Sequence, residues 1–273
     1  QASSCNEKGD FIALLARYLK TTRKLVIEHL SKYYDINNEE TINPQLVEKY
    51  HAKIWNAGAL LEALYKRKIT DEDIRLYRLG EHQGRITIPI KNRSGFFVNL
   101  RSYLPGAPGA LKMKNLKGRG KKLRIFPIEQ LSFNKLIVCG GEMKAIATAR
   151  ALNKHGYGAV CVTGGEGNWH HSLTNEFMGK ETWVMMDIDD AGRKASELIL
   201  RHIYKVSVST HDVLLPLDIE AFPKGDVNDF LAIDGDLLKV IVECTEWAPP
   251  NLRDLSDAEP KEVTLTEATH ASL

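Results

Sequence analysis

Asp187 and Asp189 are the residues of this 273-residue chain best placed to do chemistry. They follow the apolar run Trp183-Val184-Met185-Met186, and Asp190-Ala191-Gly192-Arg193-Lys194-Ala195 then reads as the start of a helix. Side chains two apart in a strand share a face, so a strand continuing through 187 and 189 would point both carboxylates the same way. Two hard oxygen donors on one rim suit Mg²⁺, which takes further ligands from substrate phosphates and water. Two more acids fall at comparable places. Glu142 follows Gly140-Gly141, where glycines permit unusual backbone angles, although a first-turn helix position also favours a carboxylate through the dipole. Asp226 lies in Lys224-Gly225-Asp226-Val227-Asn228-Asp229. Asp226 and Asp229 have N-cap and N3 spacing, so metal binding and helix capping both stand open for Asp226. Asp190 reads as a first-turn helix carboxylate.

A net charge of +2 conceals a second chemical feature. Between Arg75 and Arg124 thirteen Lys and Arg face a single acid, Glu81; that window carries +12 and leaves −10 for the rest of the chain. Such polarity points to a polyanion partner for one part of the protein. Arg85, Arg101, Lys112, Lys114, Lys117, Lys121 and Lys122 are the candidate phosphate contacts, and binding through them should be steeply salt-dependent. Gly164 to Gly167 could bring backbone N–H groups to a phosphate or form a tight turn. Cys5, Cys139, Cys161 and Cys244 are too few and too scattered for a disulfide framework, which points to a reducing cytoplasm. Neither an apolar run of membrane-spanning length nor a signal-peptide pattern is present, so no membrane partner is expected.

The elements that must position these residues divide into two patterns. Helices are predicted over 10–19, 23–34 and 57–68, with another opened by Asn43 as N-cap and Pro44 in the first turn. Strands are predicted over 85–90 and 96–104 around a Gly95 turn, followed by the basic tract 112–124. From Leu131 the chain alternates: strands at 136–139, 159–163, 183–188, 206–208 and 213–217, helices at 142–155, 169–178, 192–203 and 227–233. Such alternation predicts a parallel sheet covered by helices on both faces, with ligands beyond the carboxyl ends of its strands. Gly140 to Glu142, Thr163 to Gly167 and Asp187 to Asp189 all fall there. After Trp247, Pro249-Pro250 and an acidic, Ser/Thr-rich tail read as a linker.

Taken in order, Gly140-Gly141-Glu142, Gly164-Gly165-Glu166-Gly167-Asn168-Trp169, Asp187 to Arg193 and Lys224 to Asp229 resemble the Toprim domain of bacterial replicative primases and phage-type primase–helicases. Gly84-Arg85-Ile86-Thr87-Ile88-Pro89-Ile90 and the basic stretch after it resemble the family's amino-terminal subdomain. Cys5-Asn6-Glu7-Lys8-Gly9-Asp10 resembles the last knuckle of a primase zinc-binding domain; one Cys cannot complete a tetrahedral site, so Zn²⁺ would belong to the full-length protein only. The resemblance implies an α/β fold: a Toprim parallel sheet flanked by helices, preceded by a smaller mixed α+β basic subdomain and a short helical N-terminal segment. It divides the chain into a zinc-domain remnant with exit helices (1–34), the basic subdomain (35–130), the Toprim domain (131–247) and a tail (248–273).

The implied activity is synthesis of short RNA primers on a single-stranded DNA template from ribonucleoside triphosphates. Asp187, Asp189 and Asp226 would hold Mg²⁺ or Mn²⁺ and Glu142 would assist, with a helicase domain or helicase partner downstream. The basic residues would track template phosphates or neutralise the incoming triphosphate. The family's first motif departs here: its catalytic Glu falls on Gly140, and its Asp, four residues later, falls on Lys144. A positive charge beside the expected metal should weaken metal binding. The alternative is a catalytically degenerate Toprim module that binds single-stranded DNA and couples to a replicative helicase. A Toprim nuclease or topoisomerase fits the basic hairpin less well.

Overall fold

The computed structural model describes residues 11–18, 20–26, 40–120, 122–165 and 167–249. Cys5, Lys121, Glu166, most of the predicted helix 23–34 and the tail beyond 249 lie outside the described residues. After helix α1 (Phe11–Tyr18), Asn43 caps α2 (Pro44–Ile54) by accepting the Gln45 N–H at 2.9 Å, with Pro44 at the first helical position. Helix α3 (Gly58–Lys66) leads to α4 (Asp71–Leu76), which the periodicity did not predict. Its signal is a Thr70/Asp73 capping box, in which each side chain accepts the other's backbone N–H.

Strands β1 (Gly80–His82), β2 (Arg85–Lys91) and β3 (Phe97–Tyr103), the short helix α5 (Gly109–Lys112) and strand β4 (Met113–Asn115) build a four-stranded sheet in that order, antiparallel throughout. Gly95 makes the β2–β3 turn at φ +81°, and Asn92 Oδ1 accepts the N–H groups of Ser94 and Phe96. Helix α2 packs so closely on β1 that a Cβ at Gly80 would lie 2.6 Å from the Tyr50 carbonyl carbon.

The second sheet has the order β5-β7-β6-β8-β9. Strands β6 (Lys135–Cys139), β7 (Tyr157–Val162), β8 (Glu181–Met185) and β9 (Ser209–Asp212) are parallel, and β5 (Ile125–Phe126) adds one antiparallel edge. Alternation along β6 divides the core as a period of two requires. Ile137 and Cys139 join α6 (Glu142–Leu152) on one face, whereas Leu136 and Val138 join α7 (Asp190–Ile203) on the other. The first cluster also takes in Ile86, Ile88 and Ile90 of β2, Val227 and Phe230 of α8 (Val227–Ala232) and Leu237 and Ile241 of α9 (Leu237–Glu243). Among the described residues, no helix is long and apolar enough to cross a membrane.

Two predictions about strands need correction. The strand predicted to run to Ile188 ends at Met185, because its neighbours stop there: Met185 pairs with Cys139, the last residue of β6, and Val184 with Asp212, the last of β9. The strands predicted at 206–208 and 213–217 are replaced by the single strand 209–212, whose register is set by Glu181↔Ser209 through Val184↔Asp212.

Candidate functional site

The carboxyl ends of β6 and β8 and the turn before α8 bring four of the predicted acids to one region, each held differently. Asp187 lies two residues beyond β8 and ion-pairs with the ammonium of Lys144, in the first turn of α6. Asp226 approaches the same ammonium, its Oδ2 3.6 Å from Lys144 Nζ. The three side chains are only 14–19% exposed. The two acid-bearing turns are tied by a backbone bond from Ile188 N–H to the Gly225 carbonyl at 3.0 Å. Gly192 lets α7 begin directly over Asp187: a Cβ there would meet the Asp187 carbonyl oxygen at 2.2 Å.

Asp189 does not share a face with Asp187. With the strand already ended, it becomes the N-cap of α7, accepting the Gly192 N–H at 2.8 Å. Asp190 is the first helical residue. Asp226 caps α8, its Oδ1 accepting from Asn228 and Asp229 while Asp229 accepts the Asp226 N–H at 3.0 Å. Its capping box and its approach to Lys144 use different oxygens.

Glu142 opens α6 and is 5% exposed; it accepts from Nη1 of Arg101, itself 8% exposed, on β3 of the other sheet. The same nitrogen donates to the Thr163 carbonyl just past β7, so one guanidinium joins both sheets. Sequence reasoning missed this pair, whose members lie 41 residues apart with no local pattern relating them. Beneath the site, burial pushes the Cys139 thiol up to about 12 and Cys161 well above its ordinary value. Both are packing groups rather than nucleophiles.

The donor set does not fit a divalent metal pair. Asp187 and Asp226 share a fixed cation, Glu142 is occupied by another, and Asp189 is directed at a helix N-terminus. Among the described residues no three His, Cys, Asp or Glu side chains converge as a metal site. Hard divalent cations need several free oxygen donors, and here the positive charges are supplied by the chain itself.

The basic candidates separate into two groups. Arg85 turns inward, its Nη2 donating to the carbonyls of Ser102, Leu111 and Lys112 and its Nε to Ser102 Oγ. It fastens the loop before β4, and Arg101 is likewise engaged inside the protein. Lys112, Lys114, Lys117 and Lys122 are exposed. Lys112 to Lys117 lie on and around β4, the edge strand of the first sheet. Lys117 and Lys122, with Arg119 and Arg124, line a hollow of about 270 Å³. Lys122 and Arg124 also line a groove of about 940 Å³ that runs between Lys91 and Arg93 on one side and His170, Asn175 and Met178 on the other. The Gly164–Gly165 segment forms a self-bonded turn, Gly165 at φ +90° and Asn168 donating to the Gly164 carbonyl at 2.7 Å.

No family model and no curated protein matches the chain by sequence. Solved structures do. The fold superimposes on the zinc-binding and RNA polymerase domains of the Aquifex aeolicus primase with a TM-score of 0.59, over 89% of this chain and 72% of that one, at 17% identity. The chain has the fold of a primase catalytic core. The Escherichia coli primase catalytic core matches at a TM-score of 0.55 over 74% of this chain and 79% of its own, at 16% identity. A DnaG primase catalytic domain bound to single-stranded DNA matches at 0.54 over 74% and 80%, again at 16% identity. The parallel sheet with its acid-bearing strand ends and the β1–β4 sheet that precedes it in the chain both belong to this primase-type fold.

Proposed function

We propose that this chain is a primase-type core that grips single-stranded DNA through the β4 edge and the basic groove beside it. The observation that carries the reading is the placement of Lys112, Lys114 and Lys117. All three are exposed, and no carboxylate pairs with any of them among the described residues. Such lysines on and flanking an edge strand supply phosphate contacts without first breaking an ion pair, the sequence-independent term of nucleic-acid affinity. The groove lined by Lys122, Arg124 and His170, in which Arg93 is paired with Glu176, adjoins that track. The exposed Met178 side chain in its lining offers an apolar surface for bases.

Fluorescence anisotropy with a labelled oligonucleotide tests this directly. The wild-type chain should bind single-stranded DNA, and the triple variant Lys112→Ala/Lys114→Ala/Lys117→Ala should bind at least tenfold more weakly with its fold intact. Equal affinity in the two proteins rejects the surface.

A second reading, RNA primer synthesis, is supported by the placement of Asp187, Asp226 and Glu142 beside the strand ends of a primase-type fold. It requires Lys144 and Arg101 to release these acids when template and ribonucleoside triphosphates bind. Primer synthesis on single-stranded DNA with Mg²⁺ or Mn²⁺ decides it: products lost in Asp187→Asn would establish the enzyme, and no product from a chain that binds DNA leaves the binding module.

A further inference from the structure

We infer that Lys144 is the resident cation of this site, holding the charge that a divalent metal would otherwise hold between Asp187 and Asp226. Three features of the geometry carry the inference. The ammonium lies between two carboxylates that come from separate turns, in contact with Asp187 and 3.6 Å from Asp226. All three groups are largely withdrawn from solvent, so their mutual attraction is less screened than that of a surface pair. The backbone is built around the arrangement: Gly192 admits Asp187 under α7, and the Ile188–Gly225 bond fixes the distance between the two acid-bearing turns.

The third acid is held by the chain as well: Asp187 and Asp226 share the Lys144 ammonium, and Glu142 is paired with the Arg101 guanidinium. A divalent ion entering here must displace an ammonium that is covalently attached, and therefore present at high effective concentration. It must do so for two carboxylates, one of which spends its other oxygen on a helix cap. The site is thus set to stay closed to Mg²⁺ and Mn²⁺ at cellular concentrations. This inference concerns the acids alone and stands whether or not the β4 edge binds DNA.

Removing the ammonium should open the site. Mn²⁺ binding is measured by calorimetry and electron paramagnetic resonance on the whole chain, with thermal unfolding in EDTA and in Mn²⁺ alongside. The wild-type chain should show no Mn²⁺ site below about 1 mM, an affinity at which the binding energy is only about 4 kcal/mol. Lys144→Asp should bind Mn²⁺ at least tenfold more tightly, and adding Asp187→Asn should abolish the gain. In EDTA, Lys144→Ala should unfold at a lower temperature than wild type because two carboxylates are left facing each other, and Mn²⁺ should restore part of the loss. Lys144→Ala serves as the binding test if Lys144→Asp does not fold. Micromolar Mn²⁺ binding by the wild-type chain, lost in Asp187→Asn, would overturn the inference, as would unchanged Mn²⁺ affinity in both Lys144 variants. Oligonucleotide affinity, read separately, moves in neither case if the DNA surface is as proposed.

Discussion

The ion pair between Arg101 and Glu142 joins the two sheets, and separating it should be among the most damaging single changes in the chain. Both side chains are more than nine-tenths buried. The guanidinium is anchored a second time at the Thr163 carbonyl, just past β7. Glu142→Gln leaves a buried cation without its counter-charge, and Arg101→Met leaves a buried anion. Removing one partner of such a pair costs about 3–5 kcal/mol, whereas removing both charges together costs far less because neither is left uncompensated. For a chain of this size each kcal/mol lowers Tm by about 2–4 °C, so each single variant should melt roughly 6–20 °C below wild type. The double variant Arg101→Met/Glu142→Gln should recover most of that difference. Urea unfolding followed by circular dichroism gives the coupling energy through a double-mutant cycle. If either single variant lies within about 1 kcal/mol of wild type, or the double variant loses the sum of the singles, the pair is not the tie between the sheets.

Other consequences can be measured on the same preparations. Gly192→Ala places a methyl where a Cβ would lie 2.2 Å from the Asp187 carbonyl oxygen, against backbone that cannot yield cheaply; the cost should be about 1–3 kcal/mol in urea unfolding. Thr70→Ala removes the N-cap of α4 and should cost about 1 kcal/mol, while Asp73→Ala should cost more, since Asp73 also ion-pairs with Arg150 at 3.2 Å. Burial raises the Cys139 thiol to about 12 and Cys161 well above its ordinary range. The folded chain therefore keeps protons that the unfolded chain gives up above about pH 8.5. The contribution is complete below that pH and falls as pH rises toward 12, so the urea midpoint should decline between pH 8 and pH 10, and less so in Cys139→Ser/Cys161→Ser.

Much of this architecture was legible because it is written in local periodicity. The alternation after Leu131 foretold the parallel sheet, and Asn43-Pro44 foretold the start of α2. The Asp226–Asp229 spacing foretold a capping box. Where the sequence misled, a non-local constraint governed the outcome. Bulky residues through Ile188 suit a strand, yet a strand continues only while a neighbour offers hydrogen bonds, and β6 and β9 stop at Cys139 and Asp212. That termination converts Asp189 from a companion of Asp187 into a helix cap. Arg85 and Arg101 lay in a window read for its net charge, but alternation along β2 and β3 and the docking of two sheets turned them inward. Lys144 was visible as a cation beside the acids; that it reaches both Asp187 and Asp226 depends on how the turn before α8 folds back to Ile188.

The DNA-binding face proposed at the β4 edge should need no metal, and the salt dependence of binding in EDTA tests it most directly. Each phosphate contact on a single strand contributes about 0.7 to the slope of log K against log salt. The wild-type chain should bind a single-stranded oligonucleotide in EDTA with a steep slope, shallower by about 2 in the Lys112→Ala/Lys114→Ala/Lys117→Ala variant. Binding that appears only when Mg²⁺ is added, or a slope the triple substitution leaves unchanged, would contradict it.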